Sequence, residues 1–410
     1  MMIPTTVQVA LLVITPMITG SISCTASITL IIMILRSNLK LGTVYRRLVF
    51  GISIFDLIQS ISQALSSVMM PAGSFWGAAG NDITCGIQGL MTVIGVSGAT
   101  LYSLSLSIYF IAVIKFNMSD RTITSRLEPY LHIVPILYSL VSAVAIYASG
   151  LFNPAGAICF IAPNLSTCGN DKDCIDRMEQ IFVILSVLFS GGLVMFVFAM
   201  NCVAMSVIYW TEYSLSKKNQ VYQTSWIQNH QHVDRPSHDT TVEPSPLAAR
   251  LSRPSRASLQ RRKEISKRAI AYIIGYLLTY TPSCCYRVWE FYASDGAPYT
   301  LQILSRVFFP LQGLLNIIIY TFPHVLSRYD ANNDYSWIRA FWEVVKSGGD
   351  KDQQRVGRQG GRSLRQNANP RRNSIRNEPI VTDLSEILEL KTKSLRSESL
   401  GKVTSSIECF

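Results

Sequence analysis

Seven long apolar runs are joined by loops whose lysines and arginines gather on alternate connections, and this pattern limits the possible folds more than any other feature. The runs cover about Val7–Leu35, Leu48–Met70, Gly86–Ile114, Tyr130–Gly150, Ile181–Trp210, Ala269–Phe291 and Leu301–Phe322. Each approaches or exceeds the roughly 20 apolar residues that cross a hydrocarbon layer of about 30 Å at about 1.5 Å per residue. Lipid offers no partner to an unpaired amide, so all seven are predicted to be helices. The expected fold class is therefore an all-α membrane protein, a seven-helix bundle.

Charge sets the orientation. The loop after the first run carries Arg36, Lys40, Arg46 and Arg47, and the loop after the third carries Lys115, Arg121 and Arg126. The loop after the fifth includes Lys217, Lys218, Arg261, Arg262 and Lys263. On the other side only Lys172 and Arg177 appear, against Asp171, Asp173, Asp176 and Glu179. The positive-inside rule puts the N-terminus outside and the C-terminal tail in the cytoplasm. No basic n-region precedes the first run, which is expected to act as its own insertion signal. The surplus of +11 charges then faces anionic inner-leaflet lipid and acidic partner proteins, with no nucleic acid expected. Charged residues make up 15% of the chain, against about 25% in soluble domains.

Residues 1–323 form the expected bundle, with a polar cytoplasmic connection at 211–268. Residues 334–346 read as an amphipathic helix on the inner leaflet, because Trp337, Ile338, Phe341, Trp342 and Val345 share one face. Residues 348–410 are too poor in apolar side chains to fold alone and read as a disordered tail.

Of nine cysteines, Cys85, Cys159, Cys168 and Cys174 all fall on the outer, oxidising side. A Cys85–Cys159 bridge would tether the loop before the fifth helix over the bundle mouth, and Cys168 with Cys174 would close a smaller loop. Asn164-Leu165-Ser166 is a glycosylation sequon on the same side.

Polar side chains inside the bilayer tend to mark function. Asp56 lies roughly 12 Å into the second helix and Asn316 roughly 9 Å from the inner end of the seventh, counted at about 1.5 Å per residue. Tyr320 follows one turn below, and Ser105 and Ser107 of the third helix fall at a similar depth. These residues would form a shared polar layer able to switch, or would simply hold helices together as serine and asparagine often do. Nearer the outer mouth lie Gln88, Arg287, Glu290 and Arg306. They would bind an anionic or zwitterionic small ligand, or close an internal Arg–Glu pair with the other arginine reaching headgroups. Pro282, Pro310 and Gly191-Gly192 are candidate helix kinks.

Several motifs carry a resemblance. Ser53-Ile54-Phe55-Asp56-Leu57, Cys85 at the start of helix three, Cys159-Phe160-Ile161, and the run from Pro310 to Tyr320 resemble the G-protein-coupled receptor superfamily, in its branch of cyclic-AMP-receptor-like and secretin-like profiles. The last run is similar to that family's Gln-Gly-x-x-Asn-x-x-x-Tyr ending of helix seven. The Asp-Arg-Tyr box is missing, since helix three ends Ala112-Val113-Ile114-Lys115-Phe116, and the secretin-like ectodomain has no counterpart. The resemblance implies a receptor that carries a small extracellular ligand's signal to a heterotrimeric G protein, with helix six moving at its inner end. It also implies kinases and arrestin-like regulators, for which Ser255, Ser258 and Ser374 in basic contexts are candidate phosphorylation sites.

Three rival readings compete with this one. Gly95-Val96-Ser97-Gly98 matches an intramembrane protease pattern, but the one membrane histidine, His132, lies at a different depth, so no enzyme is expected. A retinal photoreceptor needs a lysine in helix seven and Leu301–Phe322 has none, so no cofactor is expected either. The remaining alternative is a seven-helix transporter of a small solute, which would show two similar halves and a midplane path.

Overall fold

The computed structural model describes residues 6–163, 168–169, 171–231, 256–292, 297–331 and 336–348. Asn164, Ser255, Ser374 and the tail lie outside them, and Ser258 and Glu290 sit on a helix of which only the backbone is described there. The order is α1 (Thr6–Arg36), α2 (Val44–Leu65), α3 (Asp82–Ile114), α4 (Asp120–Arg126) and α5 (Glu128–Ala148), then a hairpin of β1 (Phe152–Ala155) and β2 (Ile158–Ile161). There follow α6 (Lys172–Phe189), α7 (Gly191–Gln231), α8 (Arg256–Tyr292), α9 (Tyr299–Phe308), α10 (Gln312–Ala331) and α11 (Trp337–Ser347).

The chain is an integral, multi-pass membrane protein with a seven-helix bundle. The crossings are α1, α2, α3, α5, the pair α6–α7, α8, and the pair α9–α10. Six of them meet a simple standard of length and hydropathy for a membrane span. The exception, α8, carries Tyr272, Tyr276, Thr279, Tyr280 and Thr281, which lower its mean hydropathy; Tyr272, Tyr276, Thr279 and Tyr280 are buried in the bundle. Helix α3 is the central element, and its buried face meets α2, α5, α7 and α8.

Lipid supplies no hydrophobic drive for one helix to pack on another, so close backbone approach and side-chain hydrogen bonds hold the bundle. Small residues mark each tight crossing. A Cβ on Gly95 of α3 would lie 2.7 Å from the Gln59 backbone nitrogen of α2, and Gly98 makes room for the Phe55 ring. Ser23 of α1 accepts from Ser60 of α2 at 3.0 Å and from the Gly313 amide of α10 at 3.1 Å, joining three helices. On the inner side, Arg47 of α2 grips Glu128 of α5 with both arms and also donates to the Leu41 carbonyl at 2.7 Å.

The structure adds to the sequence reading in four places. The cytoplasmic connection at 211–268 is helical over its described ends, because α7 continues to Gln231 and α8 starts at Arg256. The fifth crossing breaks at Ser190, directly before Gly191-Gly192, with the chain at φ −136° and ψ −93°. Pro310 sits in a 3₁₀ turn, Phe309–Leu311, that divides the seventh crossing, whereas α8 continues as helix through Pro282. Helix α11 turns Ala340 and Val344 inward against the bundle, leaving Trp337, Ile338 and Trp342 exposed on its outer side. Arg328 of α10 secures it by donating to Ser347 at 2.6 Å.

The close crossing of α2 and α3 can be tested against a control on the same helix. Gly95→Val is expected to abolish folded protein in size-exclusion chromatography, since the nearest atoms are the nitrogen, Cα and Cβ of Gln59, which cannot give way without moving α2. Gly86→Ala is expected to leave the yield unchanged, because its Cβ would meet only Tyr147, at 3.8 Å.

Candidate functional site

The outer mouth is roofed by the β1–β2 hairpin, with Phe152 paired to Ile161 and Ala155 to Ile158. Three attachments hold it. Cys85 at the start of α3 is disulfide-bonded to Cys159 on β2. Gln88, one turn further, accepts from the Cys159 amide at 3.0 Å while donating to the Ser62 and Ser66 carbonyls at 3.0 and 2.6 Å. Ser66 is within hydrogen-bond distance of the Ala157 carbonyl at 3.2 Å. The second outer pair, Cys168 and Cys174, is also bonded.

These contacts correct the ligand-binding expectation for Gln88. Its side chain is fully buried, its amide is occupied by three backbone partners, and it does not line the cavity below the hairpin. A buried glutamine at the edge of a loop was better read as a clamp on that loop's backbone.

That cavity has a volume of about 210 Å³. Its roof includes Gly156, Ile158 and Phe160 of the hairpin, and its lower wall includes Val96, Tyr280, Phe309 and Pro310. Arg287 of α8 and Arg306 of α9 both line it. The Arg306 guanidinium reaches the hairpin turn: a Cβ on Gly156, where φ is +69°, would lie 3.1 Å from it. Arg287 is exposed at the rim, with its guanidinium 5.6 Å from the Tyr286 ring centre. Sequence reasoning missed Gln63, which also lines the cavity; it falls seven residues after Asp56, on the same stripe of α2.

Below the cavity the polar groups form a descending series. Tyr280 is fully buried, accepts from Thr100 of α3 at 3.3 Å, and stacks on Tyr276 with ring centres 4.4 Å apart. Deeper, Asn316 donates to Asp56 at 2.5 Å, joining α10 to α2. Ser105 is not part of this contact. Its hydroxyl donates to the Leu131 carbonyl at 3.1 Å, because at that depth its stripe of α3 faces α5. Ser107 turns the other way, donating to Asn201 of α7 at 2.6 Å. The expected shared layer is thus a direct Asp56–Asn316 pair with two separate links from α3.

Tyr320 is buried in an aromatic cluster at the inner end, stacked on Tyr45 with ring centres 6.3 Å apart. The Tyr45 and Tyr272 hydroxyls meet at 3.1 Å, linking α2 to α8. Arg262, at the basic start of α8, donates to the Ile114 carbonyl that ends α3. The protease-like pattern falls apart in space: Ser97 donates to the Phe189 carbonyl at 3.2 Å, whereas His132 pairs with Tyr102 and approaches Glu128.

The clamp role of Gln88 has a direct test. Gln88→Leu leaves two buried carbonyls and one amide unpaired, each costing about 1–3 kcal/mol. Faster hydrogen exchange at the Cys159 amide and a lower unfolding temperature are expected, measured by exchange mass spectrometry and a thermal melt. Unchanged protection at Cys159 would show that the disulfide alone positions the hairpin.

No family model and no curated protein matches the chain. Its fold is similar to that in a crystal structure of squid rhodopsin, with 15% identity, a TM-score of 0.50, and coverage of 85% of this chain and 93% of that one. The chain therefore has the seven-helix bundle fold of that G-protein-coupled receptor.

Proposed function

We propose that this chain is a G-protein-coupled receptor of the plasma membrane, which reports a small extracellular ligand to a heterotrimeric G protein. The observation that carries the proposal is the position of α8. Its outer half walls the cavity through Tyr280, and its inner end is fastened by Tyr272 to α2 and by Arg262 to α3. An occupant that shifts Tyr280 and Phe309 acts on the same rigid element whose inner end must move to admit a G protein. The ligand switches the receptor only through unequal affinity for the two arrangements.

The transporter alternative is less well supported. Under the cavity the interior holds Tyr276, Tyr280 and the Asp56–Asn316 pair, packed across the way to the midplane. The cyclic-AMP-receptor-like and secretin-like branch remains part of the proposal, on the Gln312-to-Tyr320 motif alone. Asn164 is proposed as a glycan site. Ser255, Ser258 and Ser374 are proposed for kinases, whose phosphates would add about −1.5 to −2 charges each and recruit arrestin-like regulators. Trp337, Ile338 and Trp342 of α11 would rest in anionic inner-leaflet lipid.

Nucleotide exchange on a panel of purified G proteins tests the function. The double variant Arg262→Gln, Tyr272→Phe releases both inner fastenings and is expected to raise ligand-independent exchange by about tenfold or more, the worth of one neutral and one charge-assisted hydrogen bond. Asp56→Asn is expected to change basal exchange as well, because its pair with Asn316 joins α2 to the helix beside α8. If folded wild-type and variant chains leave every G protein unstimulated, the receptor reading fails.

A further inference from the structure

We propose that the outer cavity takes a small lipophilic molecule carrying an acceptor oxygen, which enters from the outer leaflet through the seam between α7 and α8. Its role in signalling rests on the receptor reading; the route and the class of ligand rest on how these two helices meet.

Two spaces share one wall. A groove of about 630 Å³ lies between α7 and α8, lined by Phe198, Cys285, Val288 and Trp289 among others. Cys285, Val288 and Trp289 are exposed on the outside of the bundle, and residues 281–289 lie in the outer half of the sixth crossing. At that depth a spanning helix is surrounded by hydrocarbon, so the groove opens on the acyl chains of the outer leaflet. Met195 and Cys284 line this groove and also the cavity below the hairpin. A single layer of two side chains therefore divides the cavity from lipid. Methionine is unbranched and turns readily about its side-chain bonds, so its rotation opens the partition without moving a helix. The roof is held more firmly, by the Cys85–Cys159 disulfide, by Gln88 and by Ser66.

The cavity specifies what passes. Its volume of about 210 Å³ falls below the roughly 300–1,000 Å³ that drug-sized ligands fill, so the occupant is small. Arg287 stands exposed at the rim and Arg306 reaches the hairpin turn, while Leu12, Phe75, Val96, Val194 and Phe309 make much of the remaining wall apolar. Gln63 brings an amide into this wall. It is 1% exposed, and its nitrogen has no hydrogen-bond partner among the described residues. A buried donor without an acceptor costs about as much as a lost hydrogen bond, so a ligand oxygen completes the wall. An apolar molecule with such an oxygen leaves water for hydrocarbon, and the bilayer concentrates it beside the groove.

The test uses the full chain in lipid nanodiscs without G protein. Short-chain methyl ketones ending in a trifluoromethyl group are compared with the matching alkanes, and fluorine NMR reads both affinity and the rates of association and dissociation. The ketones are expected to bind about threefold to tenfold more tightly than the alkanes, one hydrogen bond's worth, and Gln63→Leu to erase the difference. Cys285 and Val288 line the groove and not the cavity. Cys285→Trp and, separately, Val288→Trp are expected to slow both rates by about tenfold, a modest added barrier. Leu278→Trp, exposed on the same helix but outside the groove, is expected to leave them unchanged. Met195→Ala thins the partition and is expected to speed both. The proposal is overturned if no ketone binds, if ketones and alkanes bind alike, or if the rates ignore every substitution in groove and partition. That last result would leave ordinary acyl chains as the groove's occupant. The shortened Met195 side chain tests the route even should a tryptophan variant fail to fold. Because no G protein is present, ketone binding without nucleotide exchange would sink only the signalling role. Nucleotide exchange driven by a water-soluble ligand, with no ketone bound, would sink only the lipophilic class and its route.

Discussion

Hydrocarbon gives a polar side chain no alternative partner, and this one condition organises the bundle. Asp56 is 2% exposed in the inner half of the membrane, where one of its oxygens is taken by Asn316. A carboxylate in that position cannot be neglected by the surrounding fold, because leaving it unpaired costs several kcal/mol in a low-dielectric interior. Helix α10 is therefore drawn to α2, and Ser23 of α1 completes the contact by serving both Ser60 and the Gly313 amide. Gly313 is the residue that permits it, since a side chain there would run into Ser23 and Ser27. Three helices are thus joined by groups that would each be destabilising alone.

The same condition explains how far the sequence could be read. Helical crossings, orientation and the segregation of four cysteines follow from lipid and compartment chemistry, which act on residue types and hardly on geometry. The partners of polar residues depend on helix rotation, which composition does not carry. Asp56 and Asn316 were legible because a buried carboxyl group requires a partner and the seventh helix offered one at the right depth. Ser105 was not, since serine can satisfy itself on any nearby carbonyl, and here it found that of Leu131. Gln88 misled for a related reason: a polar residue near the mouth suits a ligand or a loop equally well, and only the hairpin's position decides. Gln63 was within reach, as Asp56, Gln59 and Gln63 lie at i, i+3 and i+7 along one face of α2.

Breaks in regular structure have their own distribution. The interruption at Ser190–Gly191 and the 3₁₀ turn around Phe309 and Pro310 both border the outer cavity. Proline and glycine are tolerated in membrane helices where neighbours or a cavity re-satisfy the backbone. These two breaks place deformable parts of two crossings beside the cavity.

Below that level α8 is built to stay stiff. Tyr272, Tyr276 and Tyr280 recur every four residues on its inward stripe, and no proline lies between Arg262 and Pro282. The segment from Tyr280 to Arg262 is roughly 27 Å of continuous helix at about 1.5 Å per residue. In the proposed receptor, a small displacement of Tyr280 against Thr100 and Phe309 would be carried along the rod, because close-packed side chains shift between discrete arrangements and do not absorb it gradually. At the far end it meets the Tyr45 hydroxyl and the last carbonyl of α3, two single hydrogen bonds. The tyrosine pair is worth about 0.5–1.5 kcal/mol and the charged guanidinium bond about 1.5–3 kcal/mol, so in the proposed receptor they would hold without ligand and yield to the few kcal/mol that a small ligand's preference can supply.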